Sequence, residues 1–131
     1  ISADSISPGL AGMVQNRIGA TCPCFDMNVA CPGFLFALDV AAGFFARKVV
    51  KKVLVVSSER MSGLIDWADR STCVIFGDGA GAAVLGEGDG YLSSVLTTKG
   101  GEDVISIPTK WDNSPFFEKE LRKNVVYMQG Q

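Results

Sequence analysis

The stretch from Pro32 to Lys48 constrains the fold most, because its residues are apolar on nearly every side of a helix. Asp39 interrupts the apolar run once, and Arg47 and Lys48 end it. A helix with this pattern is predicted to lie inside the protein rather than on its surface. The run is too short to cross a bilayer, which needs about 20 consecutive apolar residues, so no membrane partner is expected.

Segments on both sides of this helix are predicted to be strands. Cys24–Val29 leads into a Cys-Pro-Gly turn, and Lys51–Ser57 carries a β-branched run after a basic start. The second pattern is typical of a strand that is covered on both faces. A helix between two such strands forms a βαβ crossover, so the sequence predicts an α/β protein with a parallel or mixed sheet.

Further elements are predicted before and after this unit. Pro8–Ile18 has apolar residues at helical spacing and ends at Gly19, which is typical of a short amphipathic helix. Two apolar runs, Thr72–Phe76 and Ala80–Leu85, flank a glycine-rich packing turn and predict a two-stranded corner. Two later strands are expected, at Tyr91–Thr98 and around Val104–Ile107.

Composition and charge limit the partners and the compartment. The 131 residues are 47% hydrophobic and 20% charged, which is typical of a globular domain. The formal net charge of -2 gives no electrostatic footprint for nucleic acid, so no such partner is expected. Asp4 and the early Pro8 do not fit a signal peptide, so a cytoplasmic location with reduced cysteines is predicted.

Cys31 is the first candidate for chemistry, because it is predicted to end a strand immediately before the apolar helix. Backbone N–H groups and the helix dipole stabilise a thiolate at such a position. Pro32 suits a first helical turn, where its missing N–H has no intrahelical partner, and Gly33 leaves space beside the sulfur. The alternative is that Cys31 is a small buried apolar residue, as many free cysteines are.

A metal site is the weaker interpretation of the cysteines. Cys22, Cys24 and Cys31 lie close together in the sequence, but a structural zinc site usually takes four ligands. Cys73 is the one remaining thiol, and the chain contains no histidine, the commonest metal ligand and general base. No metal is therefore expected.

Three segments, in this order and spacing, resemble the β-ketoacyl-acyl-carrier-protein synthase III family. They are Phe25–Phe34 with its Ala-Cys-Pro-Gly-Phe motif, Val53–Glu59, and Asp66–Ala82 with its Asp-Arg and Gly-Asp-Gly-Ala-Gly-Ala motifs. The resemblance covers essentially the whole chain, although Pro32 stands where the family more often has serine or alanine. It implies a partial thiolase-like fold, layered α/β/α/β/α, with a mixed sheet and a buried helix after the cysteine.

The resemblance also implies an activity. Enzymes of this family start fatty-acid synthesis as cytoplasmic homodimers, and they use acyl-coenzyme A and malonyl-acyl-carrier protein as substrates without a further cofactor. Cys31 matches the cysteine that accepts the acyl group before condensation, and its own N–H would supply half of an oxyanion hole.

Four further residues match substrate-binding positions of the family. Arg70 matches an arginine that stacks on the adenine of coenzyme A, a role suited to a flat guanidinium. The alternative for this arginine is an ion pair with Asp66 or Asp69. The other three match positions that line the acyl pocket and the pantetheine tunnel: Met61, Phe76 and Met128. Simple core packing is the alternative for these apolar side chains.

The resemblance places part of the condensing machinery outside this chain. The family's histidine and asparagine, which promote decarboxylation, and the second oxyanion donor come after its last residue. We therefore expect a portion of a longer enzyme that lacks condensation activity by itself. Residues 1–88 would be the later part of the N-terminal half, and residues 89–131 the start of the linking and C-terminal half. The alternatives are a related condensing enzyme of specialised metabolism and a non-catalytic remnant.

Overall fold

A computed structural model describes residues 1–108 and 123–129 of the chain. Within these ranges the chain forms two α-helices, a short 3-10 helix directly after the first strand, and four strands. The helices are α1 (Leu10–Arg17) and α2 (Gly33–Ala46), and the 3-10 helix is Met61–Leu64. The strands are β1 (Lys52–Arg60), β2 (Asp78–Gly86), β3 (Ile105–Ser106) and β4 (Tyr127–Met128).

The four described strands form two separate sheets. β1 pairs with β2, and β3 pairs with β4 in an antiparallel register that places Ile105 opposite Met128. The chain divides into two compact units. The first unit contains residues 1–59 and 79–97, and the second contains residues 60–78 together with the described residues from 98 onward.

Both predicted helices are present. The predicted first helix is confirmed as α1, and Gly19 beyond its end has a φ of 67°, the left-handed conformation that glycine adopts without strain. Helix α2 follows Cys31 as predicted, but only Ala41 of this helix is buried and Leu35 is 61% exposed. The predicted burial of this helix is only partial within the described residues, because they leave the Leu35 side of α2 uncovered. Neither described helix has the length and apolar character needed to span a membrane.

The strand predicted immediately before Cys31 is not formed. Cys24–Val29 has no strand hydrogen bonding, so the βαβ crossover is not observed in the described residues. The segment instead runs beside α2, where the rings of Phe25 and Phe44 meet edge to face with their centroids 6.4 Å apart. Aromatic packing against the helix, rather than pairing with a strand, thus places the segment that leads to Cys31.

The strand predicted at Lys51–Ser57 is confirmed as β1, which is three residues longer at its carboxyl end. Its predicted coverage on both faces is wrong for the described structure. Val55 is 6% exposed, whereas its neighbours Leu54 and Val56 are 43% and 41% exposed. Because successive side chains of a strand point to opposite faces, β1 is covered on one face only.

Only half of the predicted two-stranded corner is a strand. The second run is confirmed as β2, which begins at Asp78, whereas Thr72–Phe76 forms turns. The N–H groups of Cys73 and Ile75 donate to carbonyls three or four residues earlier, at 3.0 Å each. These local bonds occupy the donors that a sheet would need.

The two later strand predictions have different outcomes. Ile105–Ser106 is confirmed as strand β3, but Tyr91–Thr98 is not a strand. In that segment Leu92 and Val95 are 90% and 89% exposed, so no described residue covers their apolar side chains.

The second unit has its own small apolar core. Its buried members are Met61, Ile65 and Val126, and four partly buried side chains pack against them: Leu64, Cys73, Phe76 and Ile107. The N–H of Val126 donates to the carbonyl of Leu64 at 2.8 Å. The backbone beside β4 is thereby joined to the last residue of the 3-10 helix.

Candidate functional site

Cys31 lies in a turn at the N-terminal end of α2. The N–H of Gly33 donates to the carbonyl of Ala30 at 3.0 Å, so Cys31 and Pro32 are the two central residues of this turn. Ala30 has a φ of 53°, a left-handed conformation that is uncommon for residues other than glycine and often occurs at functional sites. The Cys31 thiol is free and exposed, so its interpretation as a small buried apolar residue is wrong.

The start of α2 favours negative charge beside Cys31. The helix begins at Gly33, with Pro32 as its capping residue, one position later than predicted. Among the described residues no side chain caps the first-turn N–H groups, and the first turn contains no acidic residue. The free N–H groups of the first turn and the positive end of the helix dipole therefore lie close to Cys31 in the chain, and they favour negative charge at this end of the helix.

The other cysteines do not form a metal site with Cys31. Cys22 and Cys24 are exposed free thiols, and Cys73 is a partly buried one. In the part of the chain that the structure describes, no three His, Cys, Asp or Glu side chains are grouped so as to bind a metal ion.

Asp66, one of the two predicted partners of Arg70, is bound to other groups. Its Oδ2 accepts an ion-paired hydrogen bond from the Nζ of Lys123 at 2.7 Å. Its Oδ1 accepts from the N–H of Ala68 at 3.1 Å. The hydrogen bond from Lys123, followed by that from Ala68, lowers the pKa of Asp66 below its ordinary value.

Asp69, the second predicted partner, is bound within its own turn. Its Oδ1 accepts from the N–H and the Oγ of Ser71, at 2.9 and 2.7 Å. Its Oδ2 accepts from the Oγ1 of Thr72 at 3.3 Å, and Thr72 is 0% exposed. The bonds from Ser71 lower the pKa of Asp69, so this carboxylate is held in its charged form.

Arg70 projects from this loop into solvent. The alternative interpretation of Arg70, an ion pair with Asp66 or Asp69, is wrong for the described structure. Each carboxylate has a different partner, and no residue within 1–108 or 123–129 forms an ion pair with Arg70. An exposed guanidinium whose neighbouring carboxylates are bound elsewhere keeps its donors and its flat faces available to a ligand.

The three apolar candidates occupy different environments in the second unit. Met61 is 8% exposed and belongs to the core, and Phe76 packs against the same core. Met128 is partly buried on β4, opposite Ile105. The structure thus brings Met61 and Phe76 together, and core packing accounts for both in the described residues. Cys31 belongs to the first unit, whereas Arg70 and these three residues belong to the second.

Sequence reasoning missed two polar partnerships of this region. Lys123 binds Asp66 across 57 positions of the chain, and no local pattern indicates such a pair. Asp78 accepts from the N–H and the Oγ of Ser62, at 2.7 Å each, and these bonds lower its pKa. The position of this aspartate between two glycines at a strand start is the one signal that marked it as special.

The fold and the site define a class of protein. The chain has a partial thiolase-like α/β fold in which an exposed, free cysteine directly precedes a helix. The described residues contribute two α-helices and two small sheets to this partial fold.

Comparison with known proteins gives the family. The family model for 3-oxoacyl-[acyl-carrier-protein (ACP)] synthase III matches residues 25–103, and the chain belongs to this family. Over 99% of its own length, this chain is 43% identical to the beta-ketoacyl-[acyl-carrier-protein] synthase III of Clostridium acetobutylicum. The chain spans 42% of that relative.

Solved structures share the fold. The synthase III (FabH) from Thermus thermophilus matches 99% of this chain with a TM-score of 0.85 and 36% identity, and this chain covers 41% of it. The priming beta-ketosynthase from the R1128 polyketide biosynthetic pathway matches 98% of this chain with a TM-score of 0.77 and 32% identity. This chain covers 39% of that enzyme.

Proposed function

We propose that the protein containing this sequence transfers an acyl group from acyl-coenzyme A to Cys31 and condenses it with malonyl-acyl-carrier protein. This reaction would start fatty-acid synthesis. The observation that carries the proposal is the exposed, free Cys31 thiol at the uncapped N-terminus of α2, in a chain of the synthase III family.

The first half-reaction needs only a nucleophile, an oxyanion site and a bound thioester. The Cys31 thiolate attacks the carbonyl carbon of acyl-coenzyme A and forms a new carbon–sulfur bond. The bond between that carbon and the coenzyme A sulfur breaks, and coenzyme A leaves as a thiolate that takes up a proton from solvent. The N–H of Cys31 is proposed to donate to the carbonyl oxygen as negative charge develops on it.

Binding of coenzyme A is assigned to residues of the second unit. Arg70 is proposed to stack on the adenine. Its exposed guanidinium, which has no ion-pair partner among the described residues, supports this role. Met61, Phe76 and Met128 are proposed to line the acyl pocket and the pantetheine tunnel. The core positions of Met61 and Phe76 would then make them the apolar wall of that tunnel rather than its mouth.

The second half-reaction needs a histidine, which this chain does not contain. Decarboxylation of the malonyl thioester is proposed to use a histidine and an asparagine, and the chain has no histidine. We assign these groups to other parts of a longer protein, with residues 1–88 in its N-terminal half and residues 89–131 at the start of its linking and C-terminal half. The isolated chain is then proposed to lack condensation activity, and a β-ketoacyl product formed by it alone would contradict this.

The setting of the enzyme completes the proposal. It is proposed to work in the cytoplasm as a homodimer, with acyl-coenzyme A and acyl-carrier protein as partners. It is proposed to need no metal and no cofactor besides these substrates.

Acyl transfer is tested on the full-length protein with acetyl-coenzyme A as the probe. Intact mass spectrometry followed by peptide mapping should find one acetyl group on the peptide that contains Cys31. Cys31→Ser should abolish this adduct, whereas the matched control Cys73→Ser should keep it. Absence of an acetyl group from Cys31, or labelling of Cys31 by iodoacetamide no faster than Cys73, would overturn the proposal.

A related enzyme of specialised metabolism is the second candidate, favoured by the likeness to the R1128 priming beta-ketosynthase. Such an enzyme would use the same cysteine with a different acyl group. A panel of acyl-coenzyme A thioesters, scored by the rate of Cys31 acylation, separates the two. Preference for acetyl or short branched groups supports fatty-acid initiation, and preference for other acyl groups supports the second candidate.

A further inference from the structure

The loop that carries Arg70 is organised by the backbone and side chain of Asp66. The carbonyl of Asp66 accepts from the N–H of Asp69 at 2.9 Å, and its Oδ1 accepts from the N–H of Ala68 at 3.1 Å. Both bonds fix the chain direction immediately before Arg70. The orientation of the Asp66 side chain therefore sets the path of the backbone that presents the guanidinium.

Lys123 fixes that side chain from a distant part of the sequence. Its Nζ donates to Oδ2 of Asp66 at 2.7 Å, whereas the N–H of Ala68 donates to the other carboxylate oxygen, Oδ1. The N–H of Lys123 donates to the phenolic oxygen of Tyr127 at 3.1 Å, so the lysine backbone is itself attached to β4. The Arg70 loop is in this way joined to the strand that carries Met128.

We propose that Lys123, acting through Asp66, is a positioning residue that holds Arg70 in place for coenzyme A. This inference rests on the proposed function and adds to it a residue that touches neither substrate nor Cys31. The lysine would couple the adenine end of the site, at Arg70, to the tunnel wall at Met128.

The exposure of the pair separates positioning from simple stabilisation. The Lys123 side chain is 71% exposed and the Asp66 side chain 27% exposed. Ion pairs exposed to this degree contribute little to folding stability. Loss of Lys123 should therefore leave the melting temperature nearly unchanged while it changes how tightly coenzyme A binds.

The test measures binding of coenzyme A to the full-length protein by isothermal titration calorimetry. Lys123→Met should weaken binding about threefold to tenfold. Lys123→Arg should restore most of the affinity, because it keeps a cation in reach of Asp66. Lys51→Met, a matched control at an exposed lysine, should bind as the wild type does.

A double-mutant cycle tests whether Lys123 acts through Arg70. Arg70→Ala should weaken binding, and Lys123→Met should add little further loss in the Arg70→Ala background. Lys123→Met should also raise the acetyl-coenzyme A concentration needed for half-maximal acylation of Cys31 and leave the maximal rate unchanged.

Failure of this inference is distinguishable from failure of the proposed function. Unchanged binding by Lys123→Met, or additive losses in the double variant, overturns the positioning role while acylation of Cys31 continues. An Arg70→Ala variant that binds normally also overturns it. A wild-type protein that is never acylated on Cys31 overturns the proposed function, whatever the binding results.

Discussion

The phenolic oxygen of Tyr91 donates a 2.7 Å hydrogen bond to Oδ1 of Asp39. The Oγ of Ser94 donates to the same carboxylate oxygen. Asp39 is the one charged residue of α2, whose other residues are apolar or glycine. The single polar group of this helix is thus used to attach the segment that follows β2.

Removal of the Asp39 carboxylate should release that segment. In Asp39→Ala the hydroxyls of Tyr91 and Ser94 lose their shared acceptor, so the chain between β2 and Lys99 should separate from α2 more often. Limited trypsin digestion should then cleave after Lys99 faster than in the wild type. Asp89→Asn, a change at an exposed acid, is the control and should not alter this rate. Equal cleavage of Asp39→Ala and wild type would show that the contact does not hold the segment.

The same contact predicts a pH dependence of stability. Hydrogen bonds from Ser94 and then Tyr91 lower the pKa of Asp39 from its ordinary value of 3.8. A carboxyl with a lowered folded-state pKa stabilises the fold above its unfolded-state pKa and loses that contribution as the pH falls through the folded-state value. The stability difference between wild type and Asp39→Ala should therefore be constant near neutrality and shrink below about pH 4. Urea titrations across this range measure it, and a difference that grows in acid would contradict the assignment.

Thr72 should stabilise the Arg70 loop through its hydroxyl. The side chain is 0% exposed, and its Oγ1 donates toward the carbonyl and the Oδ2 of Asp69, at 3.3 Å each. Thr72→Val keeps the shape and removes the donor, so the free energy of unfolding should fall by about 1 kcal/mol. Thr72→Ser keeps the hydroxyl and is the matched control in urea unfolding. A larger loss in Thr72→Ser than in Thr72→Val would assign the stability to the methyl group instead.

Val126 should be a principal apolar contact of the second unit. It is 2% exposed and belongs to a cluster with Met61 and Ile65. Val126→Ala removes two buried methyl groups, so the free energy of unfolding should fall by about 2 kcal/mol. Val84→Ala, at a residue that is 68% exposed, should change it by less than about 0.5 kcal/mol. Equal effects of the two changes in denaturant unfolding would mean that Val126 is not buried in the working protein.

Arg70→Lys tests whether the proposed contact with adenine needs a flat cation. Stacking of a cation on an aromatic ring is worth roughly 0.5–2 kcal/mol, so Arg70→Ala should weaken coenzyme A binding by about twofold to thirtyfold. Lysine keeps the charge but not the planar guanidinium, so Arg70→Lys should recover little of this loss. Calorimetric titration with coenzyme A measures both variants. Wild-type affinity in Arg70→Lys would show that charge alone is recognised.

The parts of the fold that the sequence predicted correctly are those set by local pattern. Helical spacing before Gly19 located α1, the apolar run after Cys31 located α2, and the β-branched run at Val53–Val56 located β1. In each case the spacing of the apolar side chains and the residues that flank them determine the type of element and roughly where it lies.

The predictions that failed concern how these elements are covered. The apolar patterns of α2 and β1 predicted burial on every side. An apolar pattern shows only that a surface could be buried, not that another element covers it. Leu35 and Leu54 remain exposed because no described element packs on them. Thr72–Phe76 also has a strand-like composition, yet turn hydrogen bonds to nearby carbonyls took up its donors.

For the site, the sequence by itself determined two things. A cysteine stands immediately before a helix, and the motifs of the family surround it. Tertiary structure alone decided that Cys31 is exposed after a left-handed Ala30, and that no described residue forms an ion pair with Arg70. The pairing of Asp66 with Lys123 spans 57 residues of chain. Such a contact depends on where the folded backbone brings two distant segments together, and local sequence carries no signal for it.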